Sequence, residues 1–388
     1  MSAIKRFENV MYKKLPDRVP FVPKIWVDLA SNITEVPYIE IINDPELAMR
    51  TVVEAGIKLN IDAVRLFIFP TRKVTKHGQQ FYQIDRDGKR IGAIDLHGGW
   101  GTRFENNTCF DISNEEMVAN YNFWHTREPV IKNKADAKCI KVPSASFYEE
   151  SGYGNMVKKM LTIANDKTCC IGDCNSGTLT FYAAMRGFNH ALFDFIENPS
   201  LVHECMEKGI QISIERAKFF INHGIKILRY NDSIANMSVI SPEHWRKFIY
   251  PYLKMFSDEV HKYDNNARIY CHICGNVLPI VNTLVESGFD CIAPLDPLGG
   301  FNISNIREKT GDEMTLMGGI NTLSFVQSTP SEIMEEAKIC IEQGGKSGNF
   351  ILGSGCMIPR SSKVENIQAV VIAAESYGLY KNGSLVRV

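Results

Sequence analysis

Arg268-Ile269-Tyr270-Cys271-His272-Ile273-Cys274-Gly275 reads as a short apolar strand that ends on two metal-binding side chains. In a strand, residues two apart project from the same face, so His272 and Cys274 can hold one ion together. A second apolar run, Asn349-Phe350-Ile351-Leu352-Gly353, leads into Ser354-Gly355-Cys356-Met357-Ile358-Pro359. Cys356 is a candidate third ligand if the two strand ends lie close together. Three nitrogen and sulfur ligands with a vacant fourth position describe a catalytic zinc site rather than a structural one. The same residues also fit two buried cysteines and a hydrogen-bonded core histidine, and H-x-C alone does not choose between the two.

The pattern that closes on His272 recurs along the chain. Runs rich in β-branched and apolar residues fall at 19–26, 63–69, 168–172, 225–230, 268–271, 291–295, 315–317 and 350–352. Amphipathic stretches lie between them. The clearest is 201–222, with Ile210, Ile214, Ala217 and Ile221 at helical spacing. Val281, Leu284 and Val285 share a face of 279–287, and 331–343 begins at Thr329-Pro330-Ser331 and stops at Gly344-Gly345. Eight strands alternating with helices predict an α/β fold, a (β/α)8 TIM barrel, although a doubly wound open sheet shows the same alternation. No G-x-G-x-x-G or Walker A loop supports nucleotide binding.

One stretch breaks the alternation. Residues 71–151 read as a β-rich insertion after the second strand, with 81–85 and 90–94 joined through Arg86-Asp87-Gly88-Lys89, a strong hairpin cue. Aromatic residues follow: Trp100, Phe104, Phe110, Tyr121, Phe123 and Trp124. A lid over the site and a packed accessory hairpin are equal readings of this insertion into a single barrel domain, 1–388.

Composition narrows the function classes. The 388 residues carry a formal net charge of -1 and no long basic block, which gives no reason to expect nucleic acid as a partner. No apolar run is long enough to span a bilayer, and the opening Met1-Ser2-Ala3-Ile4-Lys5-Arg6 lacks a signal-peptide core, so no membrane is expected and the cytoplasm is the expected location. Eleven cysteines, odd in number and scattered, suit reduced thiols and metal ligands better than a disulfide framework.

In a barrel, catalytic groups sit where strands end and helices begin. Those positions hold Asp173-Cys174-Asn175-Ser176-Gly177, Tyr230-Asn231-Asp232-Ser233, His272 with Cys274, Asp296, Asn321 and Cys356. We take Asp173, Asn175, Asp232 and Asn321 as candidate catalytic residues, and Trp26, Tyr230 and Asn231 as candidate substrate contacts. Asp173, Asn175 and Asp232 fit equally as helix caps. Two thiolates and a neutral imidazole would leave zinc nearly neutral and able to bind an anionic oxygen or sulfur. Asp296 or Cys291 is a candidate for the fourth position in the absence of substrate.

Several stretches together resemble the uroporphyrinogen decarboxylase superfamily, and within it the zinc-dependent, corrinoid-linked methyltransferases. They are Leu15-Pro16-Asp17-Arg18-Val19-Pro20, Tyr270-Cys271-His272-Ile273-Cys274-Gly275-Asn276, Gly288-Phe289-Asp290, Leu316-Met317-Gly318-Gly319-Ile320-Asn321 and Gly353-Ser354-Gly355-Cys356-Met357-Ile358-Pro359. The resemblance covers most of the chain outside 71–151. It implies a (β/α)8 barrel and zinc on His272, Cys274 and Cys356. True decarboxylases of that superfamily carry an arginine-rich N-terminal signature for substrate carboxylates. Here Pro23-Lys24-Ile25-Trp26-Val27-Asp28-Leu29 lacks it and Cys356 stands at the last strand, which argues against a porphyrin substrate.

The expected activity is therefore methyl transfer from a small donor, an aryl methyl ether, to the cobalt of a corrinoid (cobalamin) carried by a partner protein. Three rivals stand beside it: transfer from the methylcorrinoid to a thiol of the coenzyme M kind, a metal-free lyase of the same superfamily, and a binding protein without catalysis. The partners expected are the corrinoid protein and a small-molecule donor, with a homodimer left open.

Overall fold

In the computed structural model, residues 1–97, 99–105 and 110–386 are described. Seven parallel strands, Ala63–Leu66, Cys169–Asp173, Ile227–Asn231, Arg268–His272, Cys291–Leu295, Thr315–Ile320 and Phe350–Ser354, hydrogen-bond in chain order as one curled sheet. Their connections carry helices that cover the outside, as parallel pairing requires.

The first expected strand, 19–26, contributes only isolated parallel bridges, Phe21 with Leu352 and Lys24 with Met357. Pro20 and Pro23 explain this, because neither can donate an N–H to a ladder. The segment still takes the eighth place. The Leu352 N–H donates to the Pro20 carbonyl at 2.9 Å on one side, and the Asp62 N–H donates to the Phe21 carbonyl at 3.0 Å on the other. Asp62 fixes this seam: its carboxylate accepts from Arg6 at 2.6 Å, Arg18 at 2.9 Å and the Phe21 N–H at 2.7 Å. Gly318 sustains the close spacing at another seam. Its φ of 134° favours glycine, and a Cβ there would stand 2.3 Å from the Leu295 nitrogen.

Side-chain alternation sorts the strands into two sets. Val64, Cys170, Leu228, Ile269, Ile292, Leu316 and Phe350 pack outward in the large core with the helices. Ala63, Ile171, Ile227, Tyr270, Ala293, Met317 and Ile351 pack inward, against Phe7, Val10 and Met11 of helix Ala3–Met11, which plugs the floor. Two residues further along, on the same inward face, come Arg65, Asp173, Arg229 and His272. The interior is therefore apolar at the bottom and charged towards the strand ends.

Between strands Ala63–Leu66 and Cys169–Asp173 the chain builds a separate five-stranded sheet: Lys73–His77, Gln80–Ile84, Arg90–Asp95, Gly101–Phe104 and Trp124–His125. The Asp-Gly hairpin pairs Tyr82 with Ala93, and Gly88 turns it with φ 82°. The following turn, Tyr121–Phe123, lies against the barrel rim, where the Tyr121 hydroxyl donates to the Ser176 carbonyl at 3.1 Å.

Asp232 shows how the rim is held. Fully buried, it accepts the Leu179 N–H and the Thr180 N–H, each at 2.9 Å, together with the Thr178 and Thr180 hydroxyls. It thus caps helix Leu179–Arg186 from the neighbouring strand end. Asp232→Ala would strand these buried donors, and we expect a loss of about 2–4 kcal/mol in urea unfolding. A loss below the error of the measurement would show that the cap is not needed.

Candidate metal centre at the barrel mouth

His272 ends its strand fully buried, and Cys274 follows two residues later, partly buried. The Cys274 Sγ lies 3.4 Å from His272 Nε2 and 3.0 Å from Cys356 Sγ, and both thiols are free rather than joined as a disulfide. Ligand atoms of all three residues fall within 4.8 Å of one another, and among the described residues no other His, Cys, Asp or Glu joins the group. His272 Nδ1 is buried with no partner in the protein. A soft N,S,S donor set of His272 Nε2 with the Cys274 and Cys356 sulfurs fits a zinc ion, with one coordination position left for another ligand.

The two residues considered for the fourth position differ in placement. Cys291 begins its strand in the floor, in register with Tyr270, one inward step below His272. Asp296 lies at rim level, where its carboxylate accepts the Leu298 N–H at 3.0 Å and closes on the Gly355 backbone.

Three cations surround the cluster, and sequence reading had missed them. Arg229 pairs with Asp173, both buried, and also donates to the Asn231 side chain. Arg65 donates to the Tyr270 hydroxyl at 2.5 Å and to the Pro23 carbonyl at 3.0 Å. Lys24 has no carboxylate partner; burial and the nearby Arg229 push its ammonium down to about 8, against the pull of Cys356 and Cys274. Burial, then Arg229, Lys24 and Arg65, drive the His272 pKa well below its ordinary value, so the imidazole is neutral. The hydrogen bond from Cys274, with Lys24 and Arg229 close by, lowers Cys356, while the same bond and burial raise Cys274. A thiolate and a neutral imidazole are the protonation states that a divalent metal requires.

The other expected residues divide by strand parity. Asn231 shares the inward face of Arg229, and its side-chain oxygen also accepts from Ser233 at 2.9 Å. Tyr230, one residue off, faces the helices; its hydroxyl accepts the Gly177 N–H at 3.0 Å and bonds to Thr178 at 2.7 Å. Asp173 is held by Arg229 and caps the Asn175 N–H at 3.1 Å. Asn175 turns the chain with φ 60°, a conformation asparagine tolerates, and its amide reaches Asn122 at 3.5 Å. Asn321 caps the Leu323 N–H at 3.0 Å, and its own N–H donates to Glu336 at 2.7 Å. Trp26 packs among Phe67 at 4.6 Å, Phe69 at 5.5 Å and Phe123 at 6.3 Å between centroids, with its indole N–H unpartnered. These rings follow the first two barrel segments and so sit at the mouth.

Residues 109–377 match the family model described as Uroporphyrinogen decarboxylase (URO-D). The chain belongs to the uroporphyrinogen decarboxylase family. Among curated relatives, Methylcobamide:CoM methyltransferase MtaA of Methanosarcina barkeri is 26% identical over 183 residues, 47% of this chain and 51% of that protein. A Methylated-thiol--coenzyme M methyltransferase of Methanosarcina mazei is 24% identical over 46% of this chain and 45% of its own length. This family member thus spans about half the length of the curated relatives it matches. A solved methyltransferase from Methanosarcina mazei shares the fold, with TM-score 0.71 and 17% identity over 97% of this chain and 99% of that one.

The cation environment can be read directly in metal-free protein. Alkylation of Cys356 should rise with pH around a midpoint below the ordinary thiol range, set by the thiolate fraction. Lys24→Met removes a stabilising positive charge, so the midpoint should move upward. A wild-type midpoint in the ordinary thiol range of about 8–9 would contradict this electrostatic account.

Proposed function

We propose that this protein is a zinc-dependent, corrinoid-linked methyltransferase that takes a methyl group from a small donor, an aryl methyl ether, and passes it to the cobalt of a separate corrinoid protein. The observation that carries the zinc-dependent part is the convergence of His272, Cys274 and Cys356 at the mouth of the barrel. Relatives named for methylcobamide and methylated-thiol transfer support the corrinoid part. The ring cluster of Trp26, Phe67, Phe69 and Phe123 supports an aromatic donor.

His272, Cys274 and Cys356 would hold the zinc, which would supply Lewis acidity towards the leaving ether oxygen. The chain's own residues do the remaining work. Lys24 and Arg229 favour the Cys356 thiolate, and together with Arg65 they keep the imidazole neutral. Trp26 and its neighbouring rings fix the plane of the donor, while Asn175, Asn231 and Asn321 orient its polar edge. Asp173 holds Arg229 in place, and Asp232 with Tyr230 shape the rim from behind. The mouth must admit the partner's cobalamin, so the methyl carbon has to face outward.

A second reading has its own support: both quoted relatives are named for transfer to coenzyme M, which favours a thiol as methyl acceptor. One assay separates the two, comparing demethylation of methoxylated aromatics in the presence of a cobalt(I) corrinoid protein with methylation of thiols by methylcobalamin. We expect the first activity, about one bound zinc per chain, and loss of both zinc and activity in Cys356→Ala. Thiol methylation without ether cleavage would favour the second reading, and activity that survives a chelator with no bound metal would defeat both.

A further inference from the structure

Arg72 lies outside the zinc centre, and neither the metal cluster nor the proposed mechanism uses it. It enters the insertion directly after the Phe67–Phe69 aromatic pair and is 6% exposed. Its guanidinium carries five N–H donors, yet among the described residues its hydrogen bonding is a single contact of Nη1 with the neutral Thr102 hydroxyl at 3.2 Å. Its Nε is buried without a partner. No carboxylate pairs with it, in contrast to the buried arginines Arg18 and Arg229, which bond Asp62 and Asp173. Burial alone lowers its pKa, to about 9, with no acidic group opposing the shift.

A buried guanidinium without an anion is costly, and proteins retain one where a ligand or partner supplies the missing charge. The surroundings say which ligand. Arg72 Cζ lies 5.5 Å from the Phe123 ring centroid, and Phe123 stacks with Trp26 at 6.3 Å, whose indole N–H is also buried and unpartnered. Thr102 in turn donates to the Gln83 side chain at 2.6 Å, which anchors the guanidinium to the inserted sheet. An aromatic cage alone would suit a quaternary ammonium, but Arg72 would repel such a cation. A bidentate oxyacid is the complement of a planar guanidinium.

We infer that Arg72 is the anion-recognition residue of this site, and that the small molecule bound beside the Trp26 and Phe123 rings carries a carboxylate or sulfonate. Arg72 pairs with that group while the rings hold the remainder of the molecule. The inference rests on the reading of this ring cluster as part of the substrate site. It extends that reading by naming a charged group on the substrate and the residue that selects it.

Calorimetric titration of the full-length protein tests this with four probes: para-methoxybenzoate, its neutral counterpart para-methoxybenzyl alcohol, mercaptoethanesulfonate and tetramethylammonium. Wild type should bind one of the two acids at least about 10-fold more tightly than the neutral ether, and should not bind the ammonium ion. In Arg72→Met the preference for the acid should collapse, and Arg72→Lys should restore part of it. Thermal melting guards against a structural explanation: removing an uncompensated buried cation should leave the melting temperature of Arg72→Met equal to or above that of wild type. An acid preference intact in Arg72→Met, or no preference in wild type, would overturn the inference. Preference for para-methoxybenzoate supports both the anion residue and the aromatic donor. Arg72-dependent preference for mercaptoethanesulfonate alone would keep the anion residue and remove the aryl ether. Ether cleavage by Arg72→Met with an unchanged KM for the carboxylated donor would remove the anion residue and keep the aryl ether.

Discussion

The curl of the parallel sheet is the constraint on which the rest depends. Strand Arg268–His272 and strand Phe350–Ser354 are separated by two others in the hydrogen-bonded order. In a flat sheet, three steps of about 4.8 Å would hold their ends some 14 Å apart. In this fold the Cys274 and Cys356 sulfurs stand 3.0 Å apart. Only curling inward, completed by the seam of Phe21 between Leu352 and Asp62, converts ligands remote in sequence into one cluster. The proline-interrupted segment 19–24 therefore matters more than its few bridges suggest: it completes the wall and delivers Lys24 to the metal-binding end.

The second ingredient is charge. A cluster of two cysteines and a histidine inside a protein would ordinarily keep its protons, because burial disfavours thiolate. Here the hydrogen bond from Cys274, with Lys24 and Arg229, offsets that penalty at Cys356, and burial with Arg229, Lys24 and Arg65 keeps His272 neutral. Such cations are themselves expensive to bury, and the structure compensates them individually: Arg229 by Asp173, Arg65 by the Tyr270 hydroxyl and a carbonyl. Lys24 has the Cys356 thiolate as its counter-charge. The arrangement is a reciprocal one in which the ligands need the cations and the cations need the ligands. It also explains why the lower interior is apolar, since helix Ala3–Met11 seals that end and keeps water from screening the field.

Much of this was legible in the chain. The eight apolar runs and the Asp-Gly hairpin carry local signals, and strands and helices form where periodicity and caps direct. His272 and Cys274 follow from strand parity alone. Cys356 does not, because no local pattern encodes a contact between strands three places apart; the resemblance to the family supplied it. Arg229 and Arg65 left a signal that went unused: each is a lone charge inside an apolar strand, in register with the inward set. The same parity separates Asn231 from Tyr230, for adjacent strand residues face opposite sides. Asp232 could not be assigned from sequence, since its four donors belong to Thr178, Leu179 and Thr180 at the start of a helix that precedes it by some fifty residues. Lys24 and Arg72 were hidden for a different reason, as each is defined by the lack of a carboxylate, which only tertiary structure reveals.

X-ray absorption at the zinc edge of the purified protein tests the central claim most directly. The account predicts a mixed first shell with two sulfurs at about 2.3 Å and lighter ligands at about 2.0–2.1 Å, falling to one sulfur in Cys356→Ala. A shell of light atoms only, or a sulfur count that Cys356→Ala leaves unchanged, would contradict it.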